Sequence, residues 1–163
     1  MIIDASVVIK WFVLEDQHDE ARSLLLTDEP LLAPDLLAIE VANALWVKVR
    51  RGELEPPQAE RAISAIADRG EPRLRPSAPL LPAAFDLAVT LRHPIYDCIY
   101  VALARATDDL LCTADRSLAR AVQRHAVAQV ALLGEQPRSR CTTRPAPPDR
   151  GSRRQAARLF PTS

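Results

Sequence analysis

Met1-Ile2-Ile3-Asp4-Ala5-Ser6 opens the chain, and its reading decides the fold. Apolar residues run without alternation into a carboxylate, and Ser6 begins a helical apolar pattern, Val7-Val8-Ile9-Lys10-Trp11-Phe12-Val13. An apolar run that does not alternate marks a strand buried on both faces, as in a parallel sheet. Ser6 is expected to cap the helix after it, which should run to about Val13. An acid at the carboxyl end of a central parallel strand lies where open α/β folds place their chemistry.

The same grammar repeats outward. Leu31-Leu32-Ala33 reads as a short buried strand closed by Pro34, and Leu110-Leu111-Cys112-Thr113 as another, ending at Ala114-Asp115. Residues 127–133 read as a last strand. Arg73-Leu74-Arg75 lies among Pro72, Pro76, Pro79 and Pro82, which confines it to a sheet edge. Helical spacing fills the gaps. A helix follows the polar break at 15–20. A long one starts at Asp35 and stops at Lys48, Arg50, Arg51 and Gly52. Others run from Gln58 to Asp68, Ala83 to Leu91, Tyr96 to Ala106 and Arg116 to His125. Strands alternating with helices predict an α/β fold of three layers, α/β/α, around a central parallel sheet. The pattern stops after Gly134. Residues 1–134 are therefore read as one domain, and residues 135–163, rich in proline and arginine, as a disordered tail.

Bulk properties bound the function. The chain has 163 residues, enough for one domain with a real core plus an appendage. No apolar run approaches the ~20 residues that span a membrane, and the first residues lack the features of a secretory signal. A cytoplasmic protein without membrane contact is expected. Cys98, Cys112 and Cys141 show no CxxC spacing, which supports neither a disulfide framework nor a zinc site. Net charge is zero, but seven arginines and one acid lie in residues 137–163, leaving 14 basic and 20 acidic groups before them. A body that is acidic overall needs a local device, such as a metal, to hold an anion.

Four acids invite weighing. Asp4 directly after a buried strand must be solvated, capped or ligating. Glu40 lies mid-helix, where its neighbours one turn away are Leu36, Leu37, Asn43 and Ala44. An unpaired carboxylate there is costly to bury, and Asn43 is placed to hydrogen-bond it or a bound water. Asp97 in the first turn of a helix and Asp115 before one are each explained well enough by the helix dipole and by capping. Together the four carry more. Asp4 and Asp115 leave strands at one end of a parallel sheet, and the helices of Glu40 and Asp97 start near that end. At ~5 Å and an effective dielectric of ~20, each close pair repels by about 3 kcal/mol. Such a cluster needs cations, and hard oxygen donors with no His or Cys suit Mg²⁺ or Mn²⁺.

These residues resemble a PIN domain, and most of all the VapC toxins of toxin–antitoxin pairs. The likeness rests on Asp4-Ala5-Ser6 after the first strand, on Glu40 in Ile39-Glu40-Val41-Ala42-Asn43-Ala44-Leu45, on Tyr96-Asp97, and on Thr113-Ala114-Asp115. It covers about residues 1–134. The resemblance implies that Asp4, Glu40, Asp97 and Asp115 form an acidic metal site. Ser6 and Thr113 then match the hydroxyl positions that support it. It further implies hydrolysis of RNA by metal-activated water, a homodimer, and an antitoxin that reaches the acids with a basic side chain. Cys98 departs from the small residue usual at its position.

Two other classes share part of this pattern. An aspartyl-phosphate phosphatase also ends its first strand in Asp, but wants a second Asp where this chain has Ser6, and a lysine where only Lys10 and Lys48 exist. An inactive PIN-like RNA- or protein-binding module is opposed by the four intact acids. His93, before Pro94, is expected to be an exposed loop histidine. Trp11, Phe12 and Trp46 are expected in the core or at a protein contact, Trp46 on a face turned to the antitoxin.

Overall fold

β1 is only Ile2–Ile3, and both side chains are wholly buried. Burial, not length, makes it the centre of the sheet. The computed structural model describes residues 1–135, apart from the side chains of residues 67–69. From residue 136 on, the tail expected to be disordered lies outside the described residues. Four further strands are β2 (Leu32–Pro34), β3 (Arg73–Arg75), β4 (Leu111–Thr113) and β5 (Val130–Leu132). They form one all-parallel sheet in the order β3-β2-β1-β4-β5. The chain winds outward from β1 to β3, then crosses back to β4, so its direction reverses between β1 and β4. That is where an open α/β sheet leaves a crevice. In register, Ile2 pairs with Leu111 and Ile3 with Cys112. The residues that leave the two strands, Asp4 and Thr113-Ala114-Asp115, therefore emerge side by side.

Seven helices flank the sheet in a three-layer α/β/α arrangement: α1 (Ala5–Val8), α2 (His18–Ser23), α3 (Leu36–Arg50), α4 (Pro56–Arg69), α5 (Leu81–Leu91), α6 (Ile95–Thr107) and α7 (Arg116–His125). α6 is the most buried, with Cys98 through Ala104 all inside. The expected edge strand at 73–75 is indeed at the edge. No helix among the described residues is long and apolar enough to cross a membrane.

Several boundaries differ from the sequence expectation, each for a physical reason. The first helix gives way after Val8 to a 3₁₀ turn, Ile9–Trp11. Its β-branched run is a poor α-helix former, and the Trp11 indole is fixed by donating to the Ala21 carbonyl at 2.9 Å. Asp4, not Ser6, caps α1. Its backbone is extended and its side chain accepts from the Ser6 N–H at 2.6 Å. α5 starts at Leu81, because proline is tolerated in a first turn and Pro82 does not block it. Pro34 ends β2 from inside, paired with Arg75. Asp35 precedes α3 without capping it. Its carboxylate accepts instead from the Ser77 N–H at 3.0 Å and from the Ser77 hydroxyl, fastening the start of α3 to the segment after β3.

Cys98 and Cys112 are buried free thiols, as expected. Burial pushes the Cys98 thiol up to about 11 and the Cys112 thiol up to about 12, with Asp97 and Asp4 respectively adding to the shift. Both stay protonated and act as small apolar groups.

Candidate metal centre

Asp4 is 6% exposed and fully engaged. Its Oδ1 accepts from the Ser6 N–H at 2.6 Å and the Ser6 hydroxyl at 2.5 Å. Its Oδ2 accepts from the Thr113 hydroxyl. Each hydroxyl also accepts: Ser6 Oγ from the Ala114 N–H at 2.9 Å, Thr113 Oγ1 from the Asp115 N–H at 2.9 Å. Ser6 and Thr113 thus tie the end of β1 to the end of β4 across the crevice. Burial raises the Asp4 pKa, outweighing the hydrogen bonds from Ser6 and Thr113 that lower it, and the Asp97 charge adds to the rise.

Glu40 reaches the same region from the second turn of α3. Its partner is Tyr100 of α6, whose hydroxyl donates to Oε2 at 2.5 Å. Burial raises the Glu40 pKa against that hydrogen bond, and Asp97 and Asp4 raise it further. Burial and the Glu40 charge push the Tyr100 phenol far above its ordinary value, so it remains a donor. The hydrogen bond expected from Asn43 to Glu40 is not among those of the described residues. Asn43 is exposed, on the helix face it shares with Ile39 and Trp46, and Tyr100 fills the role assigned to it. Tyr100 lies two residues after Tyr96-Asp97-Cys98 on the same helix, an apolar-looking position that gives no sequence signal until α3 and α6 are packed together.

Asp97 is the junction of the cluster. Burial raises its pKa, the His93 charge lowers it, and Asp115 raises it. The charge of Asp97 in turn bears on Asp4 and on Glu40. Asp115 both caps and converges: Oδ1 accepts from the Ser117 and Leu118 N–H groups at 2.6 and 3.2 Å, and a carboxylate oxygen lies within 4.8 Å of ligand atoms of His93 and Asp97. The capping and clustering explanations of Asp4 and Asp115 are therefore not rivals, since one carboxylate serves both.

His93 is not the exposed loop histidine expected. Its side chain is 12% exposed and Nε2 lies 3.0 Å from Asp97 Oδ2. The turn around it is tight. Arg92 ends α5 in the left-handed region at φ 52°, the His93 N–H donates to the Ala88 carbonyl at 3.2 Å, and Pro94 starts α6. The available signal was the i, i+4 spacing of His93 and Asp97 across a helix start. Among the described residues, His93, Asp97 and Asp115 bring one ligand atom each within 4.8 Å of one another.

A divalent cation fits this set. Three of the four carboxylates are held above their ordinary range chiefly by burial, with Asp97 adding to the rise of Asp4, Asp97 and Asp4 to that of Glu40, and Asp115 to that of Asp97. The donors are hard oxygens with one imidazole, which suits a small divalent ion. No lysine serves the cluster: the only two in the chain, Lys10 and Lys48, both bind Glu15, at 3.0 and 2.7 Å. The phosphatase alternative, which needs a lysine beside Asp4, loses its basis.

A parallel sheet whose switch point carries converging acids defines a class of metal-site domains. Sequence comparison is more specific. A PIN domain profile matches residues 1–123. Ribonuclease VapC3 of Pyrobaculum aerophilum is 33% identical over 120 residues, 73% of this chain and 92% of that protein. Ribonuclease VapC1 of Mycobacterium tuberculosis is 33% identical over 122 residues, 74% of this chain and 89% of that protein. The chain belongs to the PIN-domain family, in its VapC group.

Proposed function

We propose that this protein is a metal-dependent endoribonuclease, the toxin of a toxin–antitoxin pair, whose acidic centre is Asp4, Glu40, Asp97 and Asp115. The observation that carries the proposal is the convergence of four carboxylates, three of them raised by burial, at the switch point of the sheet. The names of the VapC relatives agree with it.

The ion is Mg²⁺ or Mn²⁺, held by Asp4, Glu40, Asp97 and Asp115. When bound, such an ion polarises phosphate oxygens and lowers the pKa of water. The chain does the rest. Ser6 and Thr113 fix both oxygens of Asp4, so the ligand is oriented before the cation arrives. Tyr100 does the same for Oε2 of Glu40. Glu40, with its pKa raised, is suited to accept the proton of the attacking water. The buried thiols and the absence of a Ser-His-Asp order offer no covalent route.

The protein acts as a homodimer without membrane contact, in the cytoplasm, and its site is blocked by a cognate antitoxin. Exposed apolar faces on α3 and α5 support two protein contacts. The domain proper is residues 1–134.

The test is cleavage of RNA by the full chain with Mg²⁺ or Mn²⁺, against Asp4→Asn. Metal assistance is worth several kcal/mol, and each ~1.4 kcal/mol is tenfold in rate, so Asp4→Asn is expected to cut about 10³-fold more slowly. Equal cleavage by the two proteins sinks the proposal.

A further inference from the structure

The four acids of the proposed centre do not exhaust its donors. His93 contributes a nitrogen that the oxygen-only description leaves out. The His93 ring is largely buried, not solvated, and its Nε2 lies 3.0 Å from Asp97 Oδ2. Asp115 completes a triad whose ligand atoms all fall within 4.8 Å of one another. Adjacent ligands on an octahedral ion with bonds of about 2.1 Å are roughly 3.0 Å apart, and opposite ones roughly 4.2 Å. A pair at the 4.8 Å limit thus needs to close by about 0.6 Å to take opposite positions on one ion. The oxygens of Asp4 face other partners, Ser6 and Thr113, and Glu40 Oε2 faces Tyr100. Asp4 and Glu40 are joined to the triad through the charge of Asp97.

The backbone makes this placement deliberate. Arg92 takes a left-handed conformation that a non-glycine residue rarely adopts. That turn, with Pro94 behind it, sets His93 one helical turn before Asp97 and aims it along the start of α6. The remaining two histidines of the chain are elsewhere: His18 hydrogen-bonds the Lys10 and Val13 carbonyls through Nδ1, and His125 ends α7.

We propose that His93 Nε2, Asp97 and Asp115 form a mixed nitrogen and oxygen cation position, offset from Asp4 and Glu40 and sharing Asp97 and Asp115 with the acidic centre. This rests on the metal-dependent reading of the site and refines it. Imidazole favours transition ions over Mg²⁺, whereas carboxylates alone discriminate less. The position therefore takes Mn²⁺, or a later ion of the series, in preference to Mg²⁺. The Asp4 and Glu40 side offers oxygens alone and so suits Mg²⁺.

The experiment uses the full chain loaded with Mn²⁺ and pulsed electron paramagnetic resonance, which detects a nitrogen bonded to the ion. The wild type is expected to show imidazole nitrogen modulation that changes on labelling histidine with ¹⁵N and disappears in His93→Gln. In the same variant, the preference for Mn²⁺ over Mg²⁺, measured by competition binding, is expected to fall about tenfold or more. A wild-type spectrum with no nitrogen coupling overturns the proposal, and so does nitrogen coupling that survives in His93→Gln. The wild-type spectrum decides even if the variant folds poorly. An oxygen-only Mn²⁺ spectrum from a protein that still cleaves RNA removes this inference and leaves the nuclease reading intact. Cleavage unchanged in Asp4→Asn removes the nuclease reading itself.

Discussion

At the residue scale, Thr113 is the side chain on which most depends for its size. It is wholly buried, donates to Asp4, and accepts from the Asp115 N–H at 2.9 Å. One hydroxyl therefore positions two acids on two strands. Thr113→Val keeps the shape and removes both bonds, leaving a buried carboxylate oxygen and an amide without their partner. An orphaned buried polar group costs about 1–3 kcal/mol, so urea denaturation should show a loss in that range, with Thr113→Ser largely spared. A loss under about 0.5 kcal/mol, the size of an ordinary surface change, would show that the hydroxyl is dispensable. The meeting of the four acids was legible in the sequence because each follows or precedes an element whose direction the apolar pattern fixes. Their supports were legible unequally. Ser6 and Thr113 are near Asp4 and Asp115 in sequence or register, so the parallel pairing of Ile3 with Cys112 delivers them. Tyr100 and His93 depend on side chains reaching across or back along helices, which no periodicity reveals. Asn43 illustrates the converse, since proximity one turn away did not bring its side chain onto Glu40.

At the scale of elements, the first turn after β1 and the end of α3 are joined by charge. Glu15 accepts from Lys10 on one side at 3.0 Å and from Lys48 of α3 on the other at 2.7 Å; Lys48 also reaches Glu53 at 3.4 Å. Burial pushes the Glu15 pKa up, but the hydrogen bonds from Lys48 and Lys10 outweigh it and hold the carboxyl below its ordinary value. A depressed carboxylate stabilises the fold above its unfolded pKa, ordinarily about 4.3, and that contribution is lost as pH falls through the lower folded value. The pairs are partly exposed, so each is worth less than about 1 kcal/mol after solvent screening. Glu15→Gln is expected to lower the melting temperature slightly at neutral pH, and the gap from wild type should close below about pH 4 and in high salt. A gap that persists unchanged in acid would show that Glu15 acts through packing instead. Elements themselves were legible where long apolar spacing is strong, as in α3 and α6. Boundaries differ at prolines, since Pro82 occupies a first helical turn and Pro34 the last strand position.

At the scale of the whole molecule, the acidic crevice and the outer apolar faces make opposite demands. Asp4, Glu40 and Asp97 all have raised pKa values, caused first by burial. Their protonated forms favour the fold, so without metal this contribution is complete below the ordinary carboxylate range of about 3.9–4.3 and is lost as pH rises through the raised values. A bound divalent cation offsets that loss. The gain in melting temperature on adding Mg²⁺ should therefore be near zero in acid and grow toward alkaline pH, and a gain independent of pH would count against a carboxylate-held ion. The outer faces were the least legible part, because an exposed apolar residue and a core one look alike in sequence. On α5, Leu81, Phe85 and Val89 recur every four residues and so share one face, and all are exposed, Phe85 by 61%. On α3, Trp46 is 54% exposed and Arg50 stacks over its ring at 4.8 Å. Among the described residues that cation partly covers the α3 face and none covers the α5 stripe, so in the proposed homodimer and antitoxin complex α5 is assigned to the second copy and α3 to the antitoxin. Phe85 at the middle of the stripe should be a hot spot, worth at least ~2 kcal/mol, so Phe85→Glu is expected to raise the dimer dissociation constant by about 30-fold or more. Sedimentation equilibrium checks this, with Trp46→Glu as the control expected to stay dimeric. A wild-type monomer, or a Phe85→Glu protein as dimeric as wild type, would remove α5 from the dimer interface; dissociation by Trp46→Glu would exchange the roles of the two faces.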